Sequence, residues 1–229
     1  KLDFDYDLQP FENKLIEREF IVPTSFTNYP NTEFALPSLM NMMYLDKVVV
    51  GMENNSRDFQ VTHQILRINN VMKIFKANDY DIITFFGGMG NSYNTQLVDE
   101  KLCGFGGFNP DLTKNFVLTY LPVSYFNEVL LENHSREKLE CVFKTFEDNS
   151  FNDNSKPKFV LSHLRLPHEP FVYDENGNSV ENKDEYDKSA YLSQLKFAET
   201  KILEIIDTIQ SHSPNAVIII FSDHGYRGD

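Results

Sequence analysis

Apolar residues recur along this chain at two different spacings, and each spacing predicts a different kind of element. A helical period of apolar side chains marks four segments, as expected for helices that bury one face. A fifth helix is expected to begin between Thr32 and Pro37, because a proline fits only the first turn of a helix. The four periodic segments cover residues 11–20, 57–76, 136–146 and 189–209.

Three short apolar runs predict β-strands at 80–86, 158–162 and 216–221. The last run, AVIIIF, is uninterrupted and rich in β-branched residues, which is typical of a strand buried on both faces. Helices alternate with these strands three times, so the pattern predicts a three-layer α/β/α fold around a mostly parallel sheet. We expect one domain over residues 1–229. The stretch 89–123 has no clear period and predicts no element.

Composition and charge narrow the classes of partner. The chain is 41% hydrophobic and 24% charged, which is typical of a globular protein. Its formal net charge of -13 argues against nucleic acid, because phosphate backbones need Lys and Arg to neutralise them. No segment reaches the ~20 consecutive apolar residues of a membrane helix, so membrane contact is expected only through segments outside this chain. An anionic substrate would need a local cation, and a metal ion can supply it.

The chain contains two cysteines, Cys103 and Cys141, whose positions match no zinc-binding spacing. The sequence alone does not give the distance between the two cysteines. One disulfide and two buried thiols therefore stand as alternatives.

Candidate chemistry lies just after two of the predicted strands. Asp223 and His224 follow the run 216–221, His163 comes directly after the strand 158–162, and His168 follows in LPHEPF. The ends of parallel strands share one edge of a sheet, so a carboxylate and three imidazoles are expected to converge there. A mixed Asp and His set favours zinc or manganese over calcium or magnesium, which prefer oxygen ligands. The alternative is an Asp-His turn that caps a strand without binding a metal.

The ordered set of a long helix, the PHEPF loop and SDHG after an apolar run resembles the alkaline phosphatase superfamily. The resemblance is to its sulfatase branch, which includes phosphoethanolamine and phosphoglycerol transferases, and it covers about residues 11–46 and 158–225. It implies an alkaline-phosphatase-like fold in which Asp223 and His224 bind a divalent metal. His168 and His163 would bind the transferred phosphate or sulfate, or a second metal.

The same resemblance implies the substrate and the location. The substrate is expected to be an anionic phosphate or sulfate ester, with lipid head groups among the candidates. The catalytic domain is expected on the outer side of the cytoplasmic membrane, anchored by other parts of the full-length protein.

The resemblance also directs attention to a nucleophile at the start of the second helix. Sulfatases carry Cys or Ser at the head of a C/S-x-P-S-R pattern, but this chain has Ala35 at that position and Leu39 in place of the Arg. Lipid head-group transferases have a Thr several residues before a Pro, and Thr32 before Pro37 is similar. Thr32 is the predicted nucleophile, since metal coordination lowers the pKa of a hydroxyl. The alternatives are Thr32 as a helix N-cap and Ser38 as the nucleophile.

The domain is expected to be incomplete at both ends. The family pattern begins with a strand that ends in an acidic metal ligand, whereas this chain begins with KLDFDYDLQP, which contains no apolar run. We favour a phospho-group transferase with a Thr nucleophile. The rivals are a sulfatase-like hydrolase on the same scaffold and a catalytically inactive binding domain, the latter favoured by Ala35 and Leu39.

Overall fold

A computed structural model describes residues 6–48, 59–85, 96–103, 124–152, 155–181 and 187–226. None of the helices in these ranges combines the length and the apolar character needed to cross a bilayer. The helices are α1 (Gln9–Ile16), α2 (Thr32–Asn41), α3 (Gln60–Arg67), α4 (Asn70–Ala77), α5 (Ser124–Asp148) and α6 (Lys188–His212). The strands are β1 (Asp81–Phe85), β2 (Glu100–Leu102) and β3 (Lys158–Ser162).

The described strands form one sheet in the order β2-β1-β3, and both pairs are parallel. Ile83 of β1 lies opposite Glu100 of β2, and Ile82 lies opposite Phe159 of β3. The predicted parallel α/β fold is confirmed, as are the predicted strands that became β1 and β3. The short, polar β2 lies in the stretch that predicted no element, because Glu-Lys-Leu carries too few apolar residues to be recognised.

Helices cover both faces of this sheet. Consecutive residues of a strand point to opposite sides, so the strands present apolar side chains to a layer of helices on each face. Ile82 points to one side and packs in a cluster with residues of the three helices α2, α3 and α4. Phe85 points to the other side, where α5 and α6 cover it. The first cluster contains Leu36, Met40, Leu66, Met72, Phe159 and Leu161, and the second contains Val142, Phe146, Val160, Ile205 and Ile209. The three-layer arrangement therefore follows from the alternating direction of side chains along each strand.

The helix predicted over 57–76 is two helices, α3 and α4, that break at Asn69. Asn69 is fully buried. Its side-chain oxygen accepts from the Met72 amide at 2.8 Å and its side-chain NH2 donates to the Leu66 carbonyl at 2.7 Å. One side chain thus caps the start of α4 and closes the end of α3, which an apolar period that continues through both helices does not reveal.

Pro37 also departs from its predicted position. It is the sixth residue of α2 and not in the first turn. The helix nevertheless continues to Asn41, whose side-chain NH2 donates to the Pro37 carbonyl at 2.8 Å. Packing of the buried Leu36 and Met40 against α3 and α4 offsets the hydrogen bond that proline cannot make.

The prediction of a buried strand at 216–221 is wrong. The segment is extended but has no strand partner among the described residues. Ile218 packs near Leu203 and Ile206, whereas Val217 is 87% exposed and Ile219 is 78% exposed. The reason is that an apolar run becomes a strand only where a neighbouring strand offers backbone hydrogen bonds. No such neighbour lies beside 216–221 in the ranges given above.

Cys103 and Cys141 form a disulfide with Cα atoms 5.7 Å apart. This resolves the alternative that the spacing left open. The bond joins the residue after β2 to α5 and so links the sheet to one of its covering helices.

Candidate functional site

Three parts of the chain meet near the carboxyl end of β3. They are the first residue of α2, the loop that follows β3, and the segment 222–226. Contact between the first and the last of these parts spans 191 residues of sequence. The residues predicted to carry chemistry are distributed over all three parts.

Thr32 and Asp223 are in direct contact. The Thr32 hydroxyl donates to Oδ2 of Asp223 at 2.5 Å. Asn31, and not Thr32, is the N-cap of α2, and no side chain caps that helix end. The Thr32 hydroxyl is therefore directed at a carboxylate instead of its own helix, so the N-cap alternative does not describe its contact.

Thr27 holds the backbone of the same acid. Its hydroxyl lies within hydrogen-bond reach of the Asp223 carbonyl and of the Tyr29 carbonyl. The other carboxylate oxygen of Asp223, Oδ1, accepts from the His224 amide at 3.0 Å. Hydrogen bonds thus fix both the backbone and the side chain of Asp223, and its Oδ2 faces Thr32.

His224 has a ring orientation that suits a metal ligand. Its Nδ1 lies 2.7 Å from the Gly225 carbonyl, and because a carbonyl only accepts, Nδ1 carries the proton in the neutral ring. The lone pair is then on Nε2, which lies 3.8 Å from Oδ2 of Asp223. A ligating imidazole typically donates its other nitrogen to a backbone carbonyl in this way.

His163 follows β3 directly and lies close enough to the charges of this site to be affected by them. Burial of its ring lowers the pKa of His163, and the positive charge of Arg165 and the neighbouring rings of His168 and His224 lower it further. The negative charge of Asp223 acts in the opposite direction. The net effect favours a neutral imidazole, which is the form that accepts a hydrogen bond or binds a metal.

His168 lies in a small charged group with two residues that sequence reasoning missed. Its Nδ1 is 2.8 Å from Oε2 of Glu169 and 3.1 Å from Nη2 of Arg165. Burial alone would raise the pKa of Glu169, but the hydrogen bond from His168 and nearby positive charge lower it below its usual range. One feature of the sequence could have indicated Arg165, because it is a basic residue between two histidines in an acidic chain.

One other candidate can be placed. Ser38, the alternative nucleophile, is fully buried; it donates to the Met43 carbonyl at 2.7 Å and accepts from Asn28 at 3.0 Å. It is therefore a structural residue of α2.

The donors at this site agree in kind with a divalent ion, since a carboxylate (Asp223) and an imidazole (His224) lie together and the Thr32 hydroxyl contacts the carboxylate. They are not a complete ligand set. No group of three His, Cys, Asp or Glu side chains that could hold a metal occurs in the part of the chain that the structure describes.

The candidate residues gather near the carboxyl edge of a parallel sheet, which is where open α/β folds bind their ligands. The chain belongs to the sulfatase family, because the sulfatase family pattern matches residues 5–229. This family acts on sulfate and phosphate esters and generally uses a divalent metal. No curated protein and no solved structure matches the chain.

Proposed function

We propose that this chain carries the catalytic residues of a metal-dependent phospho-group transferase in which Thr32 is the nucleophile. The observation that supports this proposal is the 2.5 Å hydrogen bond from the Thr32 hydroxyl to Asp223. The fold brings these two residues into contact although they lie 191 positions apart in the sequence. Ala35 and Leu39, which stand where an ordinary sulfatase has its modified residue and its Arg, favour a different nucleophile from that of sulfatases.

The environment of Thr32 suits attack on an anionic ester. Thr32 is the first residue of α2, so the partial positive charge of the helix N-terminus lies beside its hydroxyl. In the chemical step, Oγ1 of Thr32 attacks phosphorus and its proton leaves toward Oδ2 of Asp223. The bond from phosphorus to the leaving oxygen breaks, this oxygen takes up a proton from water and departs as the alcohol, and a phosphothreonine forms. An acceptor alcohol, or water in the hydrolytic variant, then attacks phosphorus and gives up its proton, the bond from phosphorus to Oγ1 breaks, and Oγ1 takes its proton back from Asp223.

Asp223 and His224 are the proposed ligands of a divalent ion, zinc or manganese. Such an ion supplies positive charge that lowers the pKa of an adjacent hydroxyl. His163 and His168 are the proposed contacts of the non-bridging oxygens, with Arg165 adding a fixed positive charge near them. A lipid head group is the proposed substrate class, by resemblance alone.

An extracytoplasmic location is part of the proposal. The disulfide between Cys103 and Cys141 supports it, because disulfides persist mainly in oxidising compartments. Attachment to the membrane is assigned to parts of the protein outside this chain.

The test uses the full-length protein with bis(4-nitrophenyl) phosphate, 4-nitrophenyl sulfate and vesicles of phosphatidylethanolamine or phosphatidylglycerol, in zinc or manganese. We expect turnover of the phosphodiester and a phosphoryl adduct on Thr32 by mass spectrometry. Thr32→Val, which removes only the hydroxyl, should lose both, whereas Thr32→Ser should keep part of the activity. Thr24→Val is the matched control, because Thr24 is an exposed threonine of the same region.

The outcomes separate the rival functions. Full activity in Thr32→Val would exclude Thr32 as the nucleophile. Turnover of the sulfate ester without an adduct on Thr32 would favour the sulfatase-like hydrolase. The inactive binding domain would be favoured by two results together: no turnover of any substrate, and a metal content that Asp223→Ala and His224→Ala leave unchanged.

A further inference from the structure

Gln194 of α6 is a polar side chain with no exposed surface. Its side-chain NH2 donates to the His168 carbonyl at 2.9 Å and to the Pro167 carbonyl at 3.2 Å. Its side-chain oxygen accepts from the Val172 amide at 2.8 Å and from the Tyr173 amide at 3.2 Å. All four partners belong to the backbone of the loop that carries His168.

A primary amide offers two N–H donors and one oxygen with two lone pairs, so Gln194 uses its full capacity on this loop. A buried polar group is costly unless it is hydrogen-bonded, and a fully bonded one specifies a single arrangement. The loop needs such support, because residues 163–172 form no helix or strand. Within the described residues, an isolated bridge joins Tyr173 to Ser179.

The helix that carries Gln194 is itself well anchored. Phe197, one turn further along α6, is buried against Tyr173 with ring centroids 4.5 Å apart, and Ile206 is buried at the opposite end. One turn before Gln194, the ring of Tyr191 lies 4.5 Å from that of Tyr226, which belongs to the segment 222–226. The first half of α6 therefore contacts both loops of the site.

We infer that Gln194 is a positioning residue that fixes the backbone of His168 relative to β3 and α6. The inference rests on the proposed function for the role of His168 in contacting the substrate. Gln194 touches no reacting atom in this account and acts through the loop. Loss of its four hydrogen bonds should leave His168 in several orientations, and a catalytic group displaced by about 1 Å can cost on the order of a hundredfold in rate.

The first measurement uses the unaltered protein and needs no enzyme activity. Hydrogen exchange should show slow Val172 and Tyr173 amides, because both donate to the buried Gln194 oxygen although neither residue lies in a helix or one of the strands β1–β3. Exchange of these two amides at the rate of an open loop would overturn the inference.

The second measurement compares Gln194→Met with Ser193→Ala. Met has a similar length and no hydrogen-bonding amide, so it removes the four bonds with little change of shape. Ser193 is the matched control on the same helix, because its hydroxyl accepts from the Glu175 amide at 2.9 Å, beyond the loop of His168. In Gln194→Met we expect about tenfold faster exchange at Val172 and Tyr173. We also expect an altered nitrogen-15 chemical shift of the His168 ring. Ser193→Ala should change neither.

Turnover of bis(4-nitrophenyl) phosphate completes the comparison. Gln194→Met should lower kcat/KM by about ten- to a hundredfold, mainly through kcat, with the circular dichroism of the folded protein retained. A folded Gln194→Met protein whose His168 ring nitrogen-15 shifts and kcat equal those of the wild type would overturn the inference. If wild-type protein shows no turnover but the exchange and ring signals change as expected, the positioning of His168 by Gln194 stands and the proposed function fails.

Discussion

Replacement of Asn69 by alanine tests how the break between α3 and α4 is stabilised. Asn69 has no exposed surface and makes two side-chain hydrogen bonds, one to the amide that opens α4 and one to the carbonyl that closes α3. Alanine keeps the backbone and Cβ but removes both bonds. The amide of Met72 and the carbonyl of Leu66 then stay buried without these partners.

The expected cost follows from these two contacts. Loss of an Asn N-cap costs about 1 kcal/mol. A buried carbonyl left without its donor adds about 1 kcal/mol or slightly more. Together Asn69→Ala should lower the free energy of unfolding by ~2 kcal/mol. For a chain of this size each kcal/mol shifts Tm by about 2–4 °C, so Tm should fall by about 4–8 °C.

The assay is thermal unfolding followed by circular dichroism, with Asn70→Ala as the matched control. Asn70 is the next residue and is exposed. It contributes its backbone amide, and not its side chain, to a hydrogen bond with Asn41. Asn70→Ala should therefore leave Tm nearly unchanged. Equal shifts in the two variants would refute the reasoning, because the loss of stability could then not be assigned to the two buried hydrogen bonds that Asn69 makes and the Asn70 side chain does not.

Two further predictions concern stability. Burial raises the pKa of Glu199 above its ordinary value of 4.5, although the hydrogen bond from Tyr6 acts in the opposite direction. The folded protein therefore holds the carboxyl proton of Glu199 more tightly than the unfolded chain does. This contribution to the free energy of unfolding is present below pH 4.5 and is lost as the pH rises above it. Glu199→Gln should match the wild type in urea unfolding below that pH and exceed it at neutral pH, and an equal difference at both would contradict this. Replacing Cys103 and Cys141 by serine opens a link across 38 residues and should cost about 4 kcal/mol in guanidinium unfolding. Reductant should lower the stability of the wild type and not of the double variant.

Much of the fold was predictable where local pattern decides the structure. β1, β3 and α6 lie close to the segments that the apolar period marked, because each buries one stripe or face along its own length. The predicted helix at 136–146 was right in kind but is longer, extending over α5. The parallel arrangement followed from the alternation of helices and strands.

The site was predictable in its residues more than in its contacts. Asp223, His224, His163 and His168 were selected from motif order, and Thr32 from its place before Pro37. Their roles stay predictions. Glu169 gave no signal, since one glutamate among many in an acidic chain is unremarkable until a distance to His168 is known.

The sequence by itself determined the class of fold, the acidic character and the residue types available for chemistry. Tertiary structure alone decided which distant residues meet: the Thr32 hydroxyl with Asp223, Cys103 with Cys141, and Gln194 with the loop of His168. It also decided that 216–221 has no strand partner among the described residues, despite an ideal strand composition. The physical reason is that periodicity reports burial along one element, whereas pairing, capping and site geometry depend on neighbours that the local pattern does not contain.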